Sequence, residues 1–193
     1  MPINLTKGQK VDLTKGNPSL KNIMVGLGWD VNEFDSGYAF DLDAAAFMLG
    51  SNGKCPTEKE FIFYGNLEHH TGCVKHMGDN LTGAGDGDDE QIMIDLNAVP
   101  AQYDRLVIVV NIYQAVQRHQ HFGMIQNAFI RLVDARNGSE MYKYNLTDNY
   151  SGKTAMIFGE VYRHNGEWKF NAIGSGFQGG LAALCRNYGV NVG

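Results

Sequence analysis

The chain has 193 residues, 44% of them hydrophobic, with 21 acidic against 16 basic side chains. That size and composition suit one globular domain spanning 1–193 with an ample core. They exclude a disordered chain, and the acidic balance disfavours nucleic acid as a partner, since phosphates need a basic footprint.

No apolar run approaches the roughly 18 residues of a membrane-spanning helix, and residues 1–8 lack the apolar core of a secretory leader. A cytoplasmic protein with no direct membrane insertion is therefore expected. Cys55, Cys73 and Cys185 lie far apart without a CxxC pair, which predicts three reduced thiols rather than a disulfide framework or a zinc site.

Taken in chain order, period-two patterns dominate. Residues 23–29 read as a strand that ends at Asp30, a candidate cation ligand. In residues 40–49, Asp41 and Asp43 alternate with Phe40 and Leu42, so an extended chain points both carboxylates to one side. The apolar run that follows reads as a buried strand. Further strands are expected at 61–64, 92–96, 106–113, 128–133 and 156–162. Asn137-Gly138 predicts a hairpin joining 130–134 to 141–146, and Asn165-Gly166 one joining 161–164 to 168–172.

Helical signals are few: a turn near 99–101, a short piece at 114–120 and a segment at 180–188. Many short strands with little helix between them predict an all-β fold, an antiparallel β-sandwich of two sheets with a few short helices. Trp29 and Trp168 read as core anchors. His69, His70, His76, His119 and His121 read as solvated loop histidines, because no Cys or carboxylate pattern completes a tetrahedral set around them.

The segment 78–90 is the chemical centre of the sequence. It holds Asp79, Asp86, Asp88, Asp89 and Glu90 among glycines, with no lysine or arginine. Without those five the chain would carry 16 acidic and 16 basic residues, so its net charge of −5 equals the charge of this segment. Two carboxylates about 5 Å apart at an effective dielectric of about 20 repel by roughly 3 kcal/mol, so a cluster of them needs a partner. A hard divalent ion is the natural one, because calcium takes carboxylate, amide and carbonyl oxygens, whereas zinc prefers nitrogen and sulfur. Measured as an EF-hand from Asp79, the segment has Leu81 and Gly83 at positions that need oxygen ligands, which excludes that motif. Glycines 83, 85 and 87 lack the Gly-Lys-Ser/Thr ending of a phosphate loop, and no nucleophile elbow or triad is visible.

Several ordered blocks together resemble the TerD family of tellurium-resistance and stress proteins. These are Gly26-Leu27-Gly28-Trp29-Asp30, Phe40-Asp41-Leu42-Asp43-Ala44, Phe61-Ile62-Phe63-Tyr64, the acidic segment, Ala128-Phe129-Ile130-Arg131-Leu132, Phe158-Gly159-Glu160-Val161-Tyr162-Arg163, and Asn165 to Phe170 with Gly174-Ser175-Gly176. The resemblance implies a β-sandwich binding one or two Ca2+ ions in acidic loops and serving resistance to tellurite and other stresses. It implies no known reaction, and no catalytic residue is expected.

Carried onto matching positions, the resemblance gives Asp41, Asp43, Asp79, Asn80, Asp86, Asp88, Asp89 and Glu90 as metal ligands. Where family members often carry an acidic residue after the strand ending at Tyr113, this chain has Gln114. The expected role is a binding or scaffold module for other proteins of a stress-resistance assembly at the membrane face. Calcium-dependent binding of anionic lipid and metal-dependent hydrolysis of phosphate esters are the alternatives. Lipid binding ranks lower because the sequence shows no exposed basic or aromatic loop cluster.

Overall fold

The computed structural model describes residues 2–31, 40–78 and 88–191, apart from the side chain of Val31. Twelve strands and one α-helix appear among them: β1 (Ile3–Leu5), β2 (Lys10–Asp12), β3 (Asn22–Val31), β4 (Leu42–Leu49), β5 (Phe61–Ile62), β6 (Val74–His76), β7 (Glu90–Asp95), β8 (Arg105–Ile112), β9 (Ile125–Asp134), β10 (Ser139–Asn145), β11 (Ala155–His164), β12 (Glu167–Phe177) and α1 (Gly180–Asn187). They form two six-stranded sheets, one ordered β1-β10-β9-β3-β7-β6 and the other β2-β12-β11-β8-β4-β5. β1 runs parallel to β10, and every other pairing is antiparallel. The expected sandwich is therefore the architecture found.

The alternation of β7 shows why the sheets stack. Glu90, Ile92 and Ile94 are buried while Gln91, Met93 and Asp95 are half-buried, so one face meets the core and the other meets solvent. The main core lies between the sheets and includes Val25, Leu27, Ala44, Met48, Ile92, Ile108, Val110, Phe158 and Phe170. A second apolar cluster covers the outer face of the β8–β4 sheet. There Ala45, Phe47, Val107 and Val109 meet Leu184 and Cys185 of α1 and Val190 beyond it. β4 is consequently buried on both faces along its whole length, which explains its unbroken apolar run. The loop before β5 ties down this cover, since Cys55 donates its N–H to the Tyr188 carbonyl at 2.8 Å.

Both hairpins form where Asn-Gly marks them, and Asn165 and Gly166 have φ of 52° and 78°, as a two-residue hairpin turn requires. The helical piece expected at 114–120 is instead a run of turns. Gln114 and His119 have φ of 51° and 53°, so left-handed residues stand at both ends of the segment and prevent regular helix. Residues 99–101 form a turn, closed by the Tyr103 N–H on the Pro100 carbonyl at 3.1 Å. The three-residue strands β1, β2 and β6 are too short for a sequence period to reveal.

Candidate functional site

Strand register brings the two acidic stretches to one end of the sandwich. β4 pairs with β8 so that Leu42 faces Ile112 and Asp43 faces Asn111, and the Tyr113 N–H donates to the Asp41 carbonyl at 2.8 Å. Leu42 and Ala44 enter the core between the sheets, so Asp41 and Asp43 turn to the other face, as their spacing predicts. Asp43 is buried and Asp41 half-buried. From the opposite sheet, Glu90 crosses between the layers and accepts the Ala44 N–H at 2.5 Å. A strand end bearing two carboxylates is thus clamped by a third.

Each remaining acidic residue has a distinct setting. The Asp88 side chain is fully buried and held by Arg131, which donates from Nε to Oδ1 and from Nη2 to Oδ2, both at 2.7 Å; Gln91 Nε2 adds a bond at 3.0 Å. Gly26 lies directly beneath, where any Cβ would collide with the Asp88 carboxylate. Asp89 accepts the Trp29 N–H at 2.8 Å. Burial pushes its carboxyl above the ordinary value, Asp30 and Asp88 add to that, and only the Trp29 bond opposes it. Asp30 accepts from Asn127 Nδ2 at 2.7 Å. Asp79, Asn80 and Asp86 lie outside the described residues.

Sequence reasoning missed several groups. Asn111 is only 6% exposed, yet its Oδ1 accepts no hydrogen bond, and it stands opposite Asp43 on the same sheet face. A polar residue inside the apolar run Val109-Val110-Asn111-Ile112 was the available signal. Tyr64 is also close: burial raises its phenol, with the charges of Asp43, Tyr113 and Asp41 following.

The histidine expectation is corrected at two positions, because His69 and His76 are buried rather than solvated. His76 Nδ1 accepts the Gly78 N–H at 3.0 Å, which leaves Nε2 to carry the proton facing Glu90 Oε2 at 3.3 Å. His69 Nε2 lies 3.8 Å from Glu60 Oε1. Glu60 in turn accepts from the Tyr103 hydroxyl at 2.7 Å and from the Thr57 N–H and Oγ1 at 2.9 and 2.7 Å.

Among the described residues, no three His, Cys, Asp or Glu side chains gather closely enough to hold a metal ion by themselves. Asp41, Asp43 and the Asn111 amide oxygen form a one-sided set of hard oxygen donors. Its chemistry fits calcium or magnesium rather than a transition metal. The three cysteines are free and buried, and Cys55 is pushed up to about 12 by burial, so none is an activated thiol. No helix among the described residues is long and apolar enough to cross a membrane.

Comparison with known proteins agrees with this architecture. The chain matches the TerD domain family over residues 1–188. It is 54% identical over 193 residues to general stress protein 16U of Bacillus subtilis, covering all of both chains. It is likewise 54% identical over 191 residues to the tellurium resistance protein TerD of Serratia marcescens, covering 99% of each. A solved structure from Streptomyces coelicolor A3(2), described as a homologue of the telluride resistance protein TerD, superposes with a TM-score of 0.65 at 20% identity. That match covers 86% of this chain and 95% of the other, and it speaks for the fold alone. The chain thus belongs to the TerD family of tellurium-resistance and stress-response proteins.

Proposed function

We propose that this protein is a cytoplasmic calcium-binding module, acting by binding rather than catalysis within a stress-resistance assembly. The cation is held at the sandwich end that carries Asp41, Asp43 and the entry to the acidic segment. The observation that supports this most directly is the buried, unpartnered Asn111 Oδ1 beside the buried Asp43. A buried acceptor without a donor costs about 1–3 kcal/mol, and a cation held beside the Asp43 carboxylate would satisfy the amide oxygen. Asp79, Asn80 and Asp86 are proposed to supply further oxygens, because the segment leaves this end at Gly78 and returns to it at Asp88. In this reading Asp88 and Glu90, through Arg131 and the Ala44 N–H, fix the return of the segment to the sheets.

Calcium would act by linkage. An ion that binds only the folded form stabilises it by about 2.7 kcal/mol at 100 times its dissociation constant. Chelator-treated protein titrated calorimetrically should release or take up heat with Ca2+ at a defined stoichiometry and respond more weakly to Mg2+, and its Tm should rise with Ca2+. Asp43→Asn should abolish both responses. Absence of binding heat together with an unchanged Tm in millimolar Ca2+ would overturn the proposal.

A further inference from the structure

Asn-Gly occurs at Asn52-Gly53, Asn137-Gly138 and Asn165-Gly166. Glycine has no Cβ to shield its own peptide nitrogen, so the side-chain carbonyl of an asparagine before it is open to attack by that nitrogen. All three asparagines are exposed, and the glycines that follow have left-handed φ of 75°, 71° and 78° in chain order. Exposure and glycine geometry therefore do not tell the pairs apart. Hydrogen bonding does.

At Asn137 both reacting groups are engaged. The Gly138 N–H donates to the Asp134 carbonyl at 2.9 Å, and Asn137 Oδ1 accepts the Ser139 N–H at 2.9 Å. Asn52 repeats the arrangement: the Gly53 N–H donates to the Gly50 carbonyl at 2.9 Å, and Asn52 Oδ1 accepts the Lys54 N–H at 3.0 Å. The third pair is built differently. Asn165 and Gly166 are the whole loop between the paired residues His164 and Glu167, so the ladder of β11 and β12 closes the turn without them. Neither the Gly166 N–H nor the Asn165 amide has a hydrogen-bond partner among the described residues, and Gly166 faces open space. Nucleophile and electrophile are both free there.

We propose that Asn165 is a site of spontaneous deamidation, and that the fold protects Asn52 and Asn137 from the same reaction. Hydroxide takes the proton of the Gly166 N–H, and the nitrogen attacks Asn165 Cγ. A C–N bond forms as the bond from Cγ to the side-chain nitrogen breaks, and that nitrogen leaves as ammonia. Water opens the resulting succinimide at either carbonyl, giving aspartate or isoaspartate, with no oxidant or reductant consumed. The two products differ in consequence. Aspartate suits this kind of turn as asparagine does, whereas isoaspartate adds a main-chain carbon and breaks the pairing of His164 with Glu167. Damage should stop at the neighbouring residues. Arg163 holds the base of the hairpin, with its guanidinium carbon 4.3 Å from the Trp168 ring centroid and Nη2 donating to the Val99 carbonyl at 2.6 Å. The turn follows the last residue of β11, whereas Asp43 lies level with Ala155 at its start, so the inference is independent of the cation reading.

Full-length protein is held at mildly alkaline pH, both folded and in urea, and peptide maps are read by mass spectrometry with chromatographic separation of aspartate from isoaspartate. In the folded protein Asn165 should convert about tenfold or more faster than Asn137 and Asn52, each of which must first give up two hydrogen bonds. In urea, where no fold restrains any of them, the rates should agree within about threefold. Conversion of Asn137 or Asn52 as fast as Asn165 in the folded protein overturns the assignment. A tenfold preference that persists in urea overturns protection by the fold. The purified isoaspartate form should melt below an Asn165→Asp variant, and equal melting overturns the stated consequence for the turn.

Discussion

Two buried glutamate–histidine pairs span the edge where the sandwich closes, and they have opposite characters. Glu60, just before β5, is saturated: Tyr103, the Thr57 N–H and the Thr57 hydroxyl all donate to it, while His69 stands 3.8 Å away. Burial pushes its carboxyl up, but those donors outweigh burial and hold it below the ordinary value. Glu90, at the start of β7, instead accepts the Ala44 N–H of the opposite sheet and faces His76 beside the mouth of the acidic segment. The same two residue types therefore make a structural knot at one end and a clamp between the sheets beside the candidate site at the other. What separates them is which parts of the fold each carboxylate joins, not their burial, which is alike.

Substitutions should split the pairs along that line. Glu60→Ala removes the acceptor of three donors and should cost about 3–5 kcal/mol in denaturant unfolding, yet leave the calcium-induced rise in Tm intact. A lost calcium response in that variant would show that the two ends are not independent. Glu90→Gln keeps an acceptor for Ala44 but discards the charge, so a smaller loss of about 1–2 kcal/mol is expected together with a weaker calcium response. Equal calcium responses in Glu90→Gln and the parent protein would erase the distinction between clamp and knot.

Asn111→Leu deletes an acceptor that has no donor. Metal-free stability should change by no more than about 1 kcal/mol in either direction, while calcium affinity measured by calorimetry falls at least tenfold.

The smallest effect concerns pH. Burial lowers the affinity of His69 for a proton, with His70 adding to it and Glu60 opposing. The unfolded chain therefore binds that proton first, and stability should decline as pH falls below about 6.5. Glu60, held below its ordinary value, should add a second loss only at pH below about 4.5. His69→Gln should flatten the upper part of a Tm-against-pH curve and leave the lower part in place. An unaltered upper slope would assign it to other groups.

The sheets were legible because period-two burial and Asn-Gly turns are local signals. β7 alternates residue by residue, and both hairpins turn where expected. The common side of Asp41 and Asp43 followed from the same geometry. Three features needed the folded chain. Arg131 meets Asp88 across 43 positions, so nothing local announces the pair. His69 and His76 are buried because the sandwich closes over them, not because of their neighbours in sequence. Asn111 interrupts an apolar run, but only the folded chain shows that its amide oxygen is buried without a donor.

The helix lying over the back of β4 and β8 carries one more consequence. Lifting α1 away would bare Ala45, Phe47, Val107 and Val109 as a flat apolar patch, in strands rich in β-branched and aromatic residues. Such surfaces stick to copies of themselves, so eight residues of helix act as the guard against polymerisation. Damage to the Leu184–Cys185 contact should show first as fibrils or precipitate, before any loss of cation affinity.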